Sequence, residues 1–295
     1  MIRKKRFIDY AFDSFNYVFL TVLAITCLYP LVFVLFASVS EPTQLIQQQG
    51  VLLRPLGFTL EGYKLAFKNP NILIGYGNTL LYVIVGTSAS VFFTALAGYV
   101  FSRKRLKYTK FFMYGIVFTM FFNGGLIPFF LLMKNIGLYD KRLLMILNGM
   151  IWTWNLIIMK TSFGQIPDSL EESARVDGAN DWTILFKIIL PLSKPVVAVM
   201  VLFYSVGRWN EWFMSMILLK DRAKFPLQLI LREILIVNDK NTMLAGANLS
   251  AESTDMYRQL LQYSTIIIAT LPILFIYPFI QKHFVKGVMI GSIKG

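Results

Sequence analysis

Reactive side chains are scarce in this chain: its 295 residues include one cysteine and one histidine. Cys27 lies inside a long apolar run, so neither a disulfide framework nor a thiolate metal site can be assembled. His283 follows the last apolar run and is assigned no chemistry. There is no Walker-type G-x-x-x-x-G-K-S/T to cradle a nucleotide, and no H-E-x-x-H, C-x-x-C or G-x-S-x-G. With so little nucleophilic or ligating material, the chain is not read as an enzyme and is expected to bind no metal or cofactor of its own. Charge is also sparse, at 15% of residues against roughly a quarter in soluble domains. Acids are the rarer sign, 16 against 29 Lys and Arg.

What is abundant is apolar. Hydrophobic residues make up 56% of the chain and its mean hydropathy is +0.59, which places it in a membrane. The net charge of +13 does not mark a nucleic-acid binder, because the basic residues form short clusters beside apolar runs, as positive-inside topology requires. Six spans are expected, at about 15–37, 79–101, 111–133, 143–159, 196–219 and 263–280, giving an all-α polytopic fold. The first follows Arg3-Lys4-Lys5-Arg6, and it is too long for a signal-peptide core, so it is read as an uncleaved helix. The second carries Gly86, Ser90, Thr94 and Gly98 every four residues, a small-residue stripe that lets a neighbouring helix approach closely. Arg103, Lys104, Arg105, Lys107 and Lys110 crowd the next loop without an acid, which sets that loop in the cytoplasm. Asn123-Gly124-Gly125 and Pro128 break the third span, predicting a kink. By parity residues 1–14 and 281–295 are cytoplasmic, and 38–76 and 220–262 are external. A short interfacial helix is expected near 60–67.

Residues 167–195 stand apart as a polar insert between the fourth and fifth spans. Asp168 with Glu171 three residues later forms a capping-box-like start, and Leu170, Ser173, Ala174 and Asp177 follow at helical spacing. Asp177-Gly178-Ala179 should break that helix, since glycine enters the left-handed region freely. A second helix should open near Asn180 or Asp181, with Trp182, Leu185, Phe186 and Ile189 as an apolar stripe against the chain's own spans.

The run Glu172-Ser173-Ala174-Arg175-Val176-Asp177-Gly178-Ala179, closed by Leu190-Pro191, resembles the "EAA" loop of integral-membrane permeases of binding-protein-dependent ABC importers. Ser173 departs from the family's alanine and is close to it in size. The resemblance covers most of the chain and is nearest the smaller permease of maltose- and alginate-type importers. It implies a coupling site at Glu171, Glu172, Ser173, Ala174, Asp177, Gly178, Ala179 and Pro191. It also implies a second homologous permease, two cytoplasmic ABC ATPases that hold ATP and magnesium, an extracytoplasmic solute-binding protein and an oligosaccharide solute. On this reading the chain lies in the cell membrane and works by alternating access.

A solute path is expected along Trp152, Trp154, Asn155, Arg208, Trp209, Asn210, Glu211 and Trp212. Ionisable residues at membrane depth are costly enough to mark function, although Arg208 and Glu211 at i, i+3 could simply pair. Tryptophans suit both sugar faces and bilayer interfaces. Two rivals are an ion-coupled secondary transporter, which calls for buried acids where only Glu211 is present, and a non-transporting membrane scaffold.

Overall fold

A computed structural model describes residues 7–48, 50–103, 107–237 and 257–275. Every described element is helical, without a strand among the described residues. Those residues divide into two compact units, Met1–Pro70 with Ile234–Thr270, and Asn71–Glu233 with Leu271–Gly295.

In the first unit the long helix α1 (Phe7–Ser38) is followed by the short helices α2 (Pro42–Gln47) and α3 (Glu61–Lys68), the latter at the predicted interfacial position. Ala37, Leu45 and Leu52 form a small core with Phe33, Phe36, Leu56 and Tyr263 around it. Gly62 is pressed so closely on residues 260–264 that a Cβ would come within 2.3 Å of the Ser264 hydroxyl. Most of α1 is exposed, as expected for a lipid-facing helix.

The second unit is built on α4 (Pro70–Ser102), which begins nine residues before the predicted span. Its small-residue stripe is the seam. Gly86 faces the Arg208 guanidinium, Thr94 meets the Tyr204 hydroxyl at 2.7 Å, and Gly98 faces Met159. Helix α5 (Thr109–Phe121) and helix α6 (Leu126–Asn135) are bent by 112° at the predicted Asn-Gly-Gly break, where Gly125 has φ +88 and donates to Asn123 Oδ1. The predicted fourth span is likewise interrupted. Helix α7 (Arg142–Leu147) stops at Asn148, Gly149 turns at φ +64, and α8 (Thr153–Phe163) starts after Trp152.

The insert folds as α9 (Asp168–Val176), a corner at Gly178, α10 (Asp181–Ile184), a wide turn over Leu185–Ile189 and the single turn α11 (Leu190–Leu192). Helix α12 (Lys194–Trp209) leaves at 87° to that second arm. The predicted fifth span does not run on to residue 219: it ends at Trp209, and α13 (Phe213–Leu218) is separate. Beyond it α14 (Leu227–Arg232) lies against the amino-terminal third of α4, where Thr79 Oγ1 accepts from Leu227 N at 2.8 Å. A last helix, α15, spans 257–275; the predicted residues 276–280 lie outside the described ones. By length and composition α1 and α4 can each cross a membrane, and the two bent pairs can as broken spans.

Candidate functional site

The corner at Gly178 shows how the insert is built. Gly178 has φ +84, a conformation that costs residues with a Cβ roughly 1–2 kcal/mol. Asn180 caps the second arm by accepting from Thr183 N at 2.8 Å. The first arm starts differently from the predicted capping box. Pro167 holds the cap position without a side-chain bond, and the Glu171 carboxylate turns inward instead.

Glu171 is buried and accepts from Arg103, Tyr99 and Arg175. Arg103, at the end of α4 and only 5% exposed, donates from Nη1 to Glu171 Oε2 at 2.6 Å. The same guanidinium donates from Nη2 to the Phe163 carbonyl at 3.0 Å, closing α8, and from Nε to Ser102 Oγ at 3.0 Å. It also lies 5.0 Å over the Tyr99 ring. Each of the three guanidinium nitrogens of Arg103 therefore donates, which favours a tolerated buried ion pair. Arg175 then bridges the corner, donating to Glu171 Oε1 at 2.7 Å and to Asp181 Oδ1, while Tyr99 Oη donates to Asp181 at 3.2 Å. Burial by itself would raise the Glu171 carboxyl; the Arg175 and Arg103 guanidinium groups overcome this and hold it below the ordinary glutamate range. The two arms are thus one corner, bolted to α4 by Arg103 and Tyr99 and, through Arg103, to α8.

The inner side of the corner packs on a core of Tyr99, Met159, Phe163, Ile184, Leu185 and Ile189, joined by Ala174, Ala179 and Leu190. In the wide turn Leu190 N bonds back to Leu185 O, five residues earlier, and this spacing brings both Ile184 and Ile189 inward. The predicted stripe is therefore only half internal. Leu185 and Ile189 are buried, but Trp182 and Phe186 stay exposed, stacked 5.9 Å apart with Phe186 6.3 Å from Phe92. On the outer side Glu172, Ser173, Asp177 and Gly178 are exposed, and Val176 is 88% exposed. Pro191 sits at the start of α11, where its missing N–H costs no helical bond.

The predicted path residues do not form one surface. Trp152, Arg208 and Glu211 line a common cavity of about 60 Å³ with Tyr82, Asn148 and Ser215. Trp152 is wedged against Gly207 and Gly149 and packs 5.1 Å from Tyr204. Arg208 is buried and reaches across the seam, donating to the Met145 and Ile146 carbonyls at 2.9 and 3.0 Å and to Ser90 Oγ at 2.9 Å. It makes no ion pair with Glu211 among the described residues. Glu211 instead caps α13 by accepting from Met214 N at 2.8 Å, because α12 ends at Trp209 with Asn210 as its cap. Asn155 is buried on α8 and Trp154 is exposed. Trp209 packs edge-on to Tyr76 at 5.8 Å, and Trp212 lies under Arg232 at 5.3 Å.

Sequence reasoning placed Arg175 and Asp181 within the corner but gave them no bonds, and it overlooked Arg103 and Tyr99 as its partners. The signal available was the doubled Glu171-Glu172. On a helix neighbouring residues point about 100° apart, so only one could follow Ala174 inward, and a carboxylate there demands a cation.

A sequence profile described as "Binding-protein-dependent transport system inner membrane component" matches residues 2–290. The chain is 39% identical, over 96% of its length and 98% of the relative's, to the polygalacturonan/rhamnogalacturonan transport system permease protein YtcP of Bacillus subtilis (strain 168). It is 29% identical to the maltodextrin transport system permease protein MdxG of the same organism, with 95% of each chain covered. Its fold matches a chain in the crystal structure of a bacterial ABC transporter involved in the import of the acidic polysaccharide alginate. There the TM-score is 0.87 and the identity 31%, with 96% of this chain and 99% of the other covered.

Proposed function

Since the chain belongs to the binding-protein-dependent transport system inner membrane components, and is a non-enzymatic permease subunit of an ABC importer, we propose that its solute is an oligosaccharide and the corner at Gly178 its coupling element. It pairs with a second homologous permease around a translocation path. Two cytoplasmic ATPases carry ATP and magnesium, and an extracytoplasmic binding protein delivers the solute. The six spans are α1, α4, the α5–α6 pair, the α7–α8 pair, the α12–α13 pair and α15, with both termini in the cytoplasm. Relatives named for polygalacturonan and alginate favour uronate-bearing oligosaccharides over neutral ones such as maltodextrin.

The observation that carries the coupling role is the exposed ridge of Glu172, Ser173, Val176 and Asp177 on a corner whose other side is clamped by Arg103. A surface-exposed ridge on a rigid base can receive a partner and pass its displacement to α4 and α8 as a rigid body. The trial is uptake by the complete transporter in liposomes. Uptake of oligogalacturonate should require ATP inside and the binding protein outside, and maltodextrin should be taken up poorly. Glu172→Lys should leave insertion intact and abolish binding-protein-stimulated ATP hydrolysis. Uptake driven by an ion gradient without ATP would overturn the reading, as would full stimulation in the variant.

A further inference from the structure

A second concavity, lying beside the coupling corner and unused by it, carries charge of one sign. The cleft holds about 520 Å³ between the end of α4, the start of α5 and the end of α8, and is lined by Phe101, Ser102, Arg103, Tyr108, Lys110 and Lys160. Among the described residues no acid lines it. Arg103 forms part of its wall and is already neutralised by Glu171, and Lys110 and Lys160, from two different helices, bring their ammonium groups to it. The amino end of α5 opens into the same space. Its cap residue, Tyr108, has φ 65 and supplies no side-chain bond to the first turn, so the positive end of a 13-residue helix adds to the two lysines. Phe101 and Tyr108 give the cleft an aromatic lip, a composition suited to the boundary between headgroups and acyl chains.

We propose that this cleft is a binding site for an anionic phospholipid of the inner leaflet, its phosphate held between Lys110, Lys160 and the start of α5. The occupant follows from charge and place: a basic pocket between spans on the cytoplasmic side meets phosphate headgroups at high local concentration, and the aromatic lip suits a ligand with an apolar tail better than a free anion. The proposal rests on the cytoplasmic orientation stated above. A lipid bound here contacts the wall formed by Arg103, so it would stiffen the base of the coupling corner.

The experiment uses the complete transporter in nanodiscs of phosphatidylcholine containing phosphatidylglycerol, with retained lipid counted by native mass spectrometry. Lys110→Gln with Lys160→Gln should hold phosphatidylglycerol roughly 25-fold more weakly, about fivefold per lysine. The control pair Lys68→Gln with Lys134→Gln should retain it as the wild type does. Inorganic phosphate in millimolar excess should not displace the lipid. Equal retention in the cleft variant and wild type overturns the proposal, and so does displacement by inorganic phosphate, which would mark a free-anion site. Loss of ATPase co-purification with unchanged lipid retention overturns it too, since the cleft would then belong to the partner protein. Orientation is checked separately: a cysteine at Lys107 in a Cys27→Ala background should react with an impermeant thiol reagent only from the cytoplasmic side. External labelling would sink the topology, whatever the lipid result.

Discussion

Two buried arginines bracket the α4 seam and are solvated in opposite ways. Arg103, beyond the Gly98 end, is held by a carboxylate that itself belongs to the corner at Gly178. Arg208, at the Gly86 end, is held by two backbone carbonyls and a serine, with its Nε unpartnered, and packs where Gly86 leaves room for it. A carbonyl dipole belongs to a helix end and cannot be withdrawn without unwinding it, so Arg208 ties α12 to α4 and α7 as a static lock. A carboxylate is borne by one side chain and is shared here with Arg175, so the Arg103 pair fastens the coupling corner to α4 and α8. Burial of a guanidinium therefore says little about its role until its acceptors are known.

Removing each arginine should separate the two. Arg103→Met leaves Glu171 buried with only Arg175 beside it and should destabilise the protein by about 3 kcal/mol, seen as a lower melting temperature in detergent. Adding Glu171→Met should restore most of that stability, because no charge is then left unpaired. Binding-protein stimulation of ATP hydrolysis should stay low in the double variant, because the ionic tie between the corner and α4 is gone. Stimulation returning with stability would reduce Arg103 to a structural ion pair.

Arg208→Met leaves neutral acceptors behind rather than a charge and should cost about 2 kcal/mol, with coupling per folded transporter unchanged. A coupling defect as severe as that of the Arg103 variant would erase the contrast. Gly178→Ala tests the corner without touching either arginine. Nothing lies within 4 Å of the added methyl, so the loss should be backbone strain alone, about 1 kcal/mol in the same melt.

The smallest effect concerns a charged staple elsewhere in the same unit, where Lys224 donates to Asp140 at 2.9 Å and Asp140 accepts from the Lys220 and Asp221 N–H groups. Burial tends to raise the Asp140 carboxyl, but those N–H bonds and Lys224 bring it from 3.8 down to about 2. A depressed carboxylate stabilises above its unfolded value, so this contribution should be complete above about pH 4 and disappear as the pH falls towards 2. In Lys224→Met the acid loss should be smaller and should end at a higher pH, because the folded-state carboxyl is less depressed; the pH dependence of melting reads both.

How much of this could be read from residue order differs from place to place. The stripe Gly86, Ser90, Thr94 and Gly98 announced the seam because small side chains at helical spacing have one use in a membrane, and each of the four is buried there. The break at Asn123-Gly124-Gly125 and the corner at Gly178 were equally legible, since left-handed backbone selects glycine locally. The ends of the fourth and fifth spans were not. Asn148-Gly149 and Asn210 sit inside hydropathy windows that remain apolar, so a sliding reading carries the helix straight through them.

The sequence alone determined the membrane setting, the glycine corners and the polar insert with its family resemblance, because hydropathy, left-handed φ and short-range spacing are properties of neighbouring residues. Tertiary structure alone decided that Arg103 answers Glu171 across 68 positions, that Arg208 answers carbonyls rather than Glu211, and that Trp182 and Phe186 are left outside. The reason is physical. A charged side chain carries no record of which acceptor will reach it, and in a low-dielectric interior that choice is made by whichever helix end or carboxylate the packing brings within hydrogen-bond distance.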